Sequence, residues 1–232
     1  AMMGLQSEAT TSAEDVGVTL KRELGSLLAR YPAELQRTRA QIERQSLTSI
    51  DAVLRNVNGI AVSFYDTQRP LYYARGFQIT DFQTDGLPSY SSSTNQEFDT
   101  ALYERIDIVR GANGLLGGTG DPSATVNLIR KAPTKTFGGS AYATYGSWDK
   151  RRLGADLNLP LAEDGRLRSR LVMTQQDANS FRDNQSERSR AALANFEFDL
   201  DDATTLGAGY QYEYNKVVGG GWGANIPIWY RD

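Results

Sequence analysis

The chain has 232 residues, a formal net charge of −3, 12 Tyr, 3 Trp, and neither Cys nor His. Without Cys there is no disulfide framework, thiolate nucleophile or Cys-ligated metal site. Without His, Ser-His-Asp triads and imidazole metal sites drop out too. The slight acidity leaves no electrostatic footprint for nucleic acid, and no run of about 18 apolar residues marks a spanning helix.

Residues 1–19 are small and polar without a long periodic pattern, and positions 1–5 lack the basic start and apolar run of a signal peptide. Residues 21–44 are rich in Leu, Glu, Arg, Gln and Ala, which predicts helix interrupted at Pro32. Ser46, Thr48 and Ser49 offer N-caps to a short helix at 50–54, with Ile50, Val53 and Leu54 on one face. Asn58-Gly59 closes it as a turn. Short strands are predicted at 60–62, 72–74, 78–79, 106–109 and 125–130, and Asp85-Gly86 suits a tight hairpin. Residues 45–135 therefore read as a compact α+β unit.

After Phe137 the pattern changes. Leu153, Ala155, Leu157 and Leu159 alternate with Arg152, Gly154, Asp156 and Asn158. Ala192, Ala194, Phe196 and Phe198 alternate likewise, as do Leu206, Ala208, Tyr210 and Tyr212. Period two held for about ten residues is what a tilted strand needs to cross a bilayer. Five such strands are predicted, near 138–146, 150–160, 166–177, 188–200 and 204–215. Turns at 162–165 and 201–203 are tight, whereas 180–186 and 217–232 are long and polar or aromatic. Outer-membrane barrels show that asymmetry. A soluble β-sandwich also has alternating strands, so periodicity alone leaves both open.

The motifs add a resemblance. Tyr73-Ala74-Arg75-Gly76-Phe77, Asp85-Gly86-Leu87-Pro88 and Tyr103-Glu104-Arg105-Ile106-Asp107-Ile108-Val109-Arg110-Gly111 occur in order. Leu115-Leu116-Gly117-Gly118-Thr119-Gly120-Asp121-Pro122-Ser123-Ala124-Thr125-Val126-Asn127 follows, then Gly146-Ser147-Trp148-Asp149 and Gly219-Gly220-Gly221-Trp222. Over residues 41–232 this series resembles TonB-dependent siderophore receptors of the ferric-pyoverdine and ferric-coprogen type.

The resemblance implies an α+β plug at 41–136, the first strands of a transmembrane β-barrel at 137–232, and an N-terminal extension at 1–40. It implies a transporter in the bacterial outer membrane, not an enzyme, that imports a ferric siderophore. Its partners would be the siderophore, TonB and outer-membrane lipid. No cofactor or metal ligand is asked of the protein, because the siderophore's oxygens fill the iron shell. By motif, Arg75 matches a plug-apex arginine directed at the siderophore and Trp222 a loop tryptophan, with Tyr73 and Tyr90 as secondary members of that wall.

Arg105, Arg110 and Arg130, with Lys131, are candidate plug–barrel contacts, and Asp156, Glu197 and Glu213 are partners by register. The sequence departs from the pattern twice. Such receptors have a strand ahead of residues 41–47, where this chain reads as helix. Their barrels have about 22 strands, so a five-stranded chain is expected to be part of a longer one. Glu14-Asp15-Val16-Gly17-Val18-Thr19 is only a short match to a TonB box, and a plain N-terminal tail is preferred.

Other classes fare worse. Glycines 111, 114, 117, 118 and 120 suit close backbone packing. No Gly-Lys-[Ser/Thr] follows them, as a phosphate cradle requires. The carboxylate pairs Glu163-Asp164 and Asp201-Asp202 sit in predicted turns, without the convergence across a cleft that hydrolysis needs. A soluble β-rich interaction module or adhesin is the alternative to a receptor.

Overall fold

The computed structural model describes residues 36–64, 69–89, 98–110, 122–201 and 203–220. They form three sheets and two short helices. The N-terminal half holds a five-stranded mixed sheet, ordered β1-β7-β8-β5-β6, and a three-stranded sheet, ordered β2-β3-β4. The former contains β1 (Gln36–Thr38), β5 (Asp81–Thr84), β6 (Leu87–Pro88), β7 (Tyr103–Arg110) and β8 (Ala124–Arg130). The latter contains β2 (Ile60–Phe64), β3 (Pro70–Ala74) and β4 (Phe77–Gln78).

One expectation is corrected at once. Residues 36–38 are extended and pair antiparallel with β7, Gln36 opposite Asp107 and Thr38 opposite Arg105. Helix α1 begins only at Arg39 and ends at Arg44. Helix propensity amounts to a few tenths of a kcal/mol per residue, whereas the β7 edge offers backbone partners that otherwise need water. The strand missing from the sequence pattern is therefore present. The earlier part of the predicted helix lies outside the described residues.

Helix α2 (Ile50–Arg55) forms as its apolar spacing predicts, burying Ile50, Val53 and Leu54. Two turns carry paired positive φ angles, Asp85-Gly86 at 52° and 81° and Arg75-Gly76 at 55° and 85°. Such pairs twist in the sense that joins tight antiparallel strands, which is why Gly occupies the second position in each. Asp85-Gly86 joins β5 to β6 as expected, and Arg75-Gly76 joins β3 to β4.

The C-terminal sheet is an antiparallel meander of β9 (Gly138–Tyr145), β10 (Arg151–Pro160), β11 (Leu167–Asn179), β12 (Ser186–Asp199) and β13 (Thr205–Val218). All five predicted strands are present. Val217 and Val218, expected in a loop, continue β13. Residues sharing a cross-strand level point to one face. Arg152, Gln176, Ser189 and Asn215 form one such level. Asp156, Val172, Leu193 and Gln211 form another on the same face. This inner face lies against the N-terminal half: buried Val172, Ala191 and Leu193 join the core that contains Ile42, Leu54, Leu102 and Ile106. The opposite face leaves Leu153, Leu157, Met173, Phe196, Phe198, Leu206 and Tyr210 exposed. The five strands do not close into a ring.

Candidate functional site: the apex hairpin and the interface beneath it

Two features stand out for function, an exposed hairpin turn and a buried polar seam. At the hairpin, Arg75 and Gly76 are exposed at the β3–β4 turn. Two carboxylates near it in sequence are engaged elsewhere. Asp85 takes Arg130 at 2.6 Å, and Asp81 accepts from the Thr125 hydroxyl. Among the described residues no ion pair holds Arg75. Tyr73 is half-buried beside the hairpin. Tyr90 and Trp222 lie outside the described residues.

The seam runs between the N-terminal half and the inner face of the C-terminal sheet. At its centre Asp99, which caps a 3-10 turn at Thr100–Leu102, accepts two hydrogen bonds from Arg152, at 2.8 and 2.7 Å. Thr174 Oγ1 donates to Asp99 at 2.8 Å and the Ala101 amide at 2.8 Å. The bidentate fork explains why arginine suits position 152.

Two strands beyond Thr174, on β13, Glu213 accepts from the Asp99 amide at 3.0 Å and from Tyr103 Oη at 3.4 Å, while Gln211 Nε2 donates to Tyr103 at 2.9 Å. Burial, aided by the Glu213 charge, pushes the Tyr103 phenol well above its ordinary pKa. It therefore stays a neutral donor.

The other cluster centres on Asp156. Lys131 Nζ lies 2.6 Å from it, and Arg170 forks onto it at 2.8 and 2.9 Å. Burial pulls the Lys131 ammonium down, and the hydrogen bond to Asp156 opposes that shift. Asn195 Nδ2 donates to the Lys131 carbonyl at 2.7 Å, and Asn158 exchanges hydrogen bonds with Thr134. This end of the N-terminal half is thus bound to three strands at once.

The expected contacts are redistributed. Arg105 bonds to Asp107 on its own strand, at 3.2 and 3.1 Å. Arg110 donates to the Asn58 carbonyl at 2.8 Å, and Arg130 pairs with Asp85. All three partners lie within the N-terminal half, where positive charge closes turns and strand ends. Burial raises the Asp107 carboxyl despite the adjacent Arg105. Lys131 does cross to Asp156, and Glu213 does accept from the N-terminal half. Glu197 instead pairs with Arg168 inside its own sheet, at 2.6 Å. The Asp99–Arg152–Thr174 cluster was missed. A signal existed, since Arg152 shares the polar parity of Asp156 and Asn158 in β10.

Comparison with known proteins now bears on this geometry. The model of the TonB-dependent receptor plug domain matches residues 10–125. The chain belongs to the TonB-dependent receptor family. Its plug match begins well ahead of residue 41. The ferripyoverdine receptor of Pseudomonas aeruginosa is 42% identical over 196 residues, 82% of this chain and 24% of that protein. The ferric-pyoverdine 358 receptor of Pseudomonas putida is 38% identical over 200 residues, 84% of this chain and 24% of that one. The chain therefore spans about a quarter of the length of these relatives.

Among solved structures, the ferripyoverdine receptor of the outer membrane of Pseudomonas aeruginosa bound to ferripyoverdine aligns with TM-score 0.78. It shares 42% identity over 81% of this chain and 26% of that one. The alcaligin outer-membrane receptor of Bordetella pertussis aligns with TM-score 0.70 and 40% identity, over 78% of this chain and 31% of that one. Membership assigns the receptor to the outer membrane, and to a family of transport receptors rather than enzymes.

Proposed function

We propose that the whole protein binds a ferric siderophore of pyoverdine type at its outer face and passes it inward in a TonB-dependent manner. Residues 41–136 act as the plug, and residues 137–232 supply the first strands of a transmembrane barrel. The observation that carries this is the two-sided C-terminal sheet, whose inner face is hydrogen-bonded to the plug while its outer face is left apolar. In water such a face is a liability. In a barrel wall it meets lipid, with period-two alternation as the signature.

In this reading Arg75 presents its planar donors to the clustered oxygens of the ferric complex. Tyr73, Tyr90 and Trp222 supply rigid apolar area around it. Ligand contact at the apex favours a plug state with its N-terminal segment released to TonB. Such a shift is limited by the ligand's differential affinity for the two states. In the full-length receptor Arg75→Ala is expected to weaken siderophore binding about tenfold, or 1.4 kcal/mol. Titration of the purified receptor by siderophore fluorescence checks this, and unchanged affinity removes Arg75 from the site.

Topology gives a second test. Loops at 147–150 and 179–187 face outward, and turns at 162–165 and 201–203 face the periplasm. Because the chain has no native Cys, Asp183→Cys and Asp164→Cys can be labelled singly in intact cells. The first is expected to react with an impermeant maleimide and the second to stay unlabelled; the reverse pattern overturns the orientation.

A further inference from the structure

Toward the 146–150 turn the seam opens into a cavity of about 140 Å³ between the N-terminal half and the inner face of the sheet. Its charged lining is balanced, Asp99 and Glu187 against Arg152 and Lys150. Asp99 and Arg152 satisfy each other at 2.8 and 2.7 Å. Lys150 and Glu187 do not. The Lys150 charge acts on Glu187, yet among the described residues no hydrogen bond or ion pair engages either side chain. Asp51, the other acid whose charge reaches Glu187, is taken up by the Ser49 hydroxyl and by Arg55 at 3.4 Å.

Register explains why the two charges stay apart. Glu187 stands two residues before Ser189 on β12, and Lys150 two before Arg152 of β10, so they flank β11 one level above Gln176. Two strand spacings set their backbones about 10 Å apart. Opposite Glu187 on the strand between them is Ala178, whose methyl leaves that space open. Gln176 lines the cavity below and is 8% exposed, and its buried Oε1 has no hydrogen-bond partner among the described residues. Such an acceptor is costly unless something donates to it. The Thr48 and Ser189 hydroxyls, also in the lining, are likewise without partners among the described residues.

We propose that this cavity binds a small α-amino acid as its zwitterion. The ammonium donates to Glu187 and to Gln176 Oε1, and the carboxylate accepts from Lys150 and from the Thr48 and Ser189 hydroxyls. One unpaired cation and one unpaired anion, held apart in a confined space, select a ligand that carries one of each over an anion or a cation alone. The acceptors at one end call for N–H donors, which distinguishes a primary ammonium from a quaternary one. A cavity of ~150 Å³ takes a benzene-sized molecule, so alanine or serine fits and tryptophan does not. Bound there, the ligand ties Thr48 of the N-terminal half to the sheet and strengthens the seam. The site depends on the seam alone, not on what is bound at Arg75.

The test is calorimetric titration of the full-length receptor in phosphatidylcholine nanodiscs with L-alanine, propionate, ethylamine, glycine betaine and L-tryptophan. L-Alanine is expected to bind with a Kd of about 1 mM or tighter. Propionate and ethylamine each lack one charge, and glycine betaine lacks N–H donors, so each is expected to bind at least about tenfold more weakly. L-Tryptophan should give no binding heat. Glu187→Gln and Lys150→Met should each weaken alanine about tenfold. No heat from alanine at concentrations well above that Kd leaves a water-filled cavity only, and overturns the proposal without reference to any variant. Equal binding of propionate or ethylamine overturns it too, because the paired charges then select nothing. So does unchanged alanine affinity in either variant, which places the binding elsewhere on the receptor.

Discussion

Asp99→Ala in the full-length receptor is expected to open the plug–sheet seam by about 3–5 kcal/mol, the cost of removing one partner from a buried ion pair. The Arg152 side chain is 5% exposed, and it donates to both Asp99 oxygens at 2.8 and 2.7 Å. Deleting the carboxylate therefore leaves a guanidinium with little water to replace it. The Thr174 hydroxyl and the Ala101 amide lose their acceptor as well. Hydrogen exchange of the amides from Thr100 to Arg110 is the direct readout. Protection there should fall by roughly two to three and a half orders of magnitude, at about 1.4 kcal/mol per tenfold. Asp99→Asn keeps the shape and one acceptor oxygen, so it should fall between wild type and alanine. Unaltered protection in Asp99→Ala would mean that the Arg152 pair does not hold plug to wall.

Leu102→Ala is expected to destabilise the same region by about 3–5 kcal/mol through lost transfer energy and a residual cavity. Leu102 is fully buried in the core that the sheet's inner face shares, and its carbonyl accepts the Lys131 amide at 3.0 Å. The void therefore forms where plug core, Lys131 and sheet converge, with little freedom to collapse. Leu87→Ala is the control: at 71% exposure that side chain gives up little, and a change within about 0.5 kcal/mol is expected. Denaturant midpoints of the two variants in the same detergent provide the comparison, and equal midpoints would place Leu102 outside the core.

The period-two runs after Phe137 determined all five strands of the C-terminal sheet, because alternation encodes a two-sided sheet without reference to any distant residue. Asn58-Gly59 and Asp85-Gly86 likewise determined their turns, since a positive φ is a local requirement and glycine meets it. Helix α2 was legible from Ile50, Val53 and Leu54 for the same reason.

The strand at Gln36–Thr38 was not legible, because its cause is the vacant edge of β7, some seventy residues away. Nor were the partners of the arginines. Arg105, Arg110 and Arg130 look alike in sequence to Lys131, and all four stand near strand ends. Only the packing shows that the first three find acceptors within the plug, while Lys131 is buried against Asp156 across the seam. The same holds for Asp99, one acid in a polar stretch until Arg152 and Thr174 close over it. Sequence periodicity determined which side of each strand is polar. Which of those polar groups meet, and so where the plug is held, was decided by tertiary packing, since an ion pair depends on distances that no local pattern records.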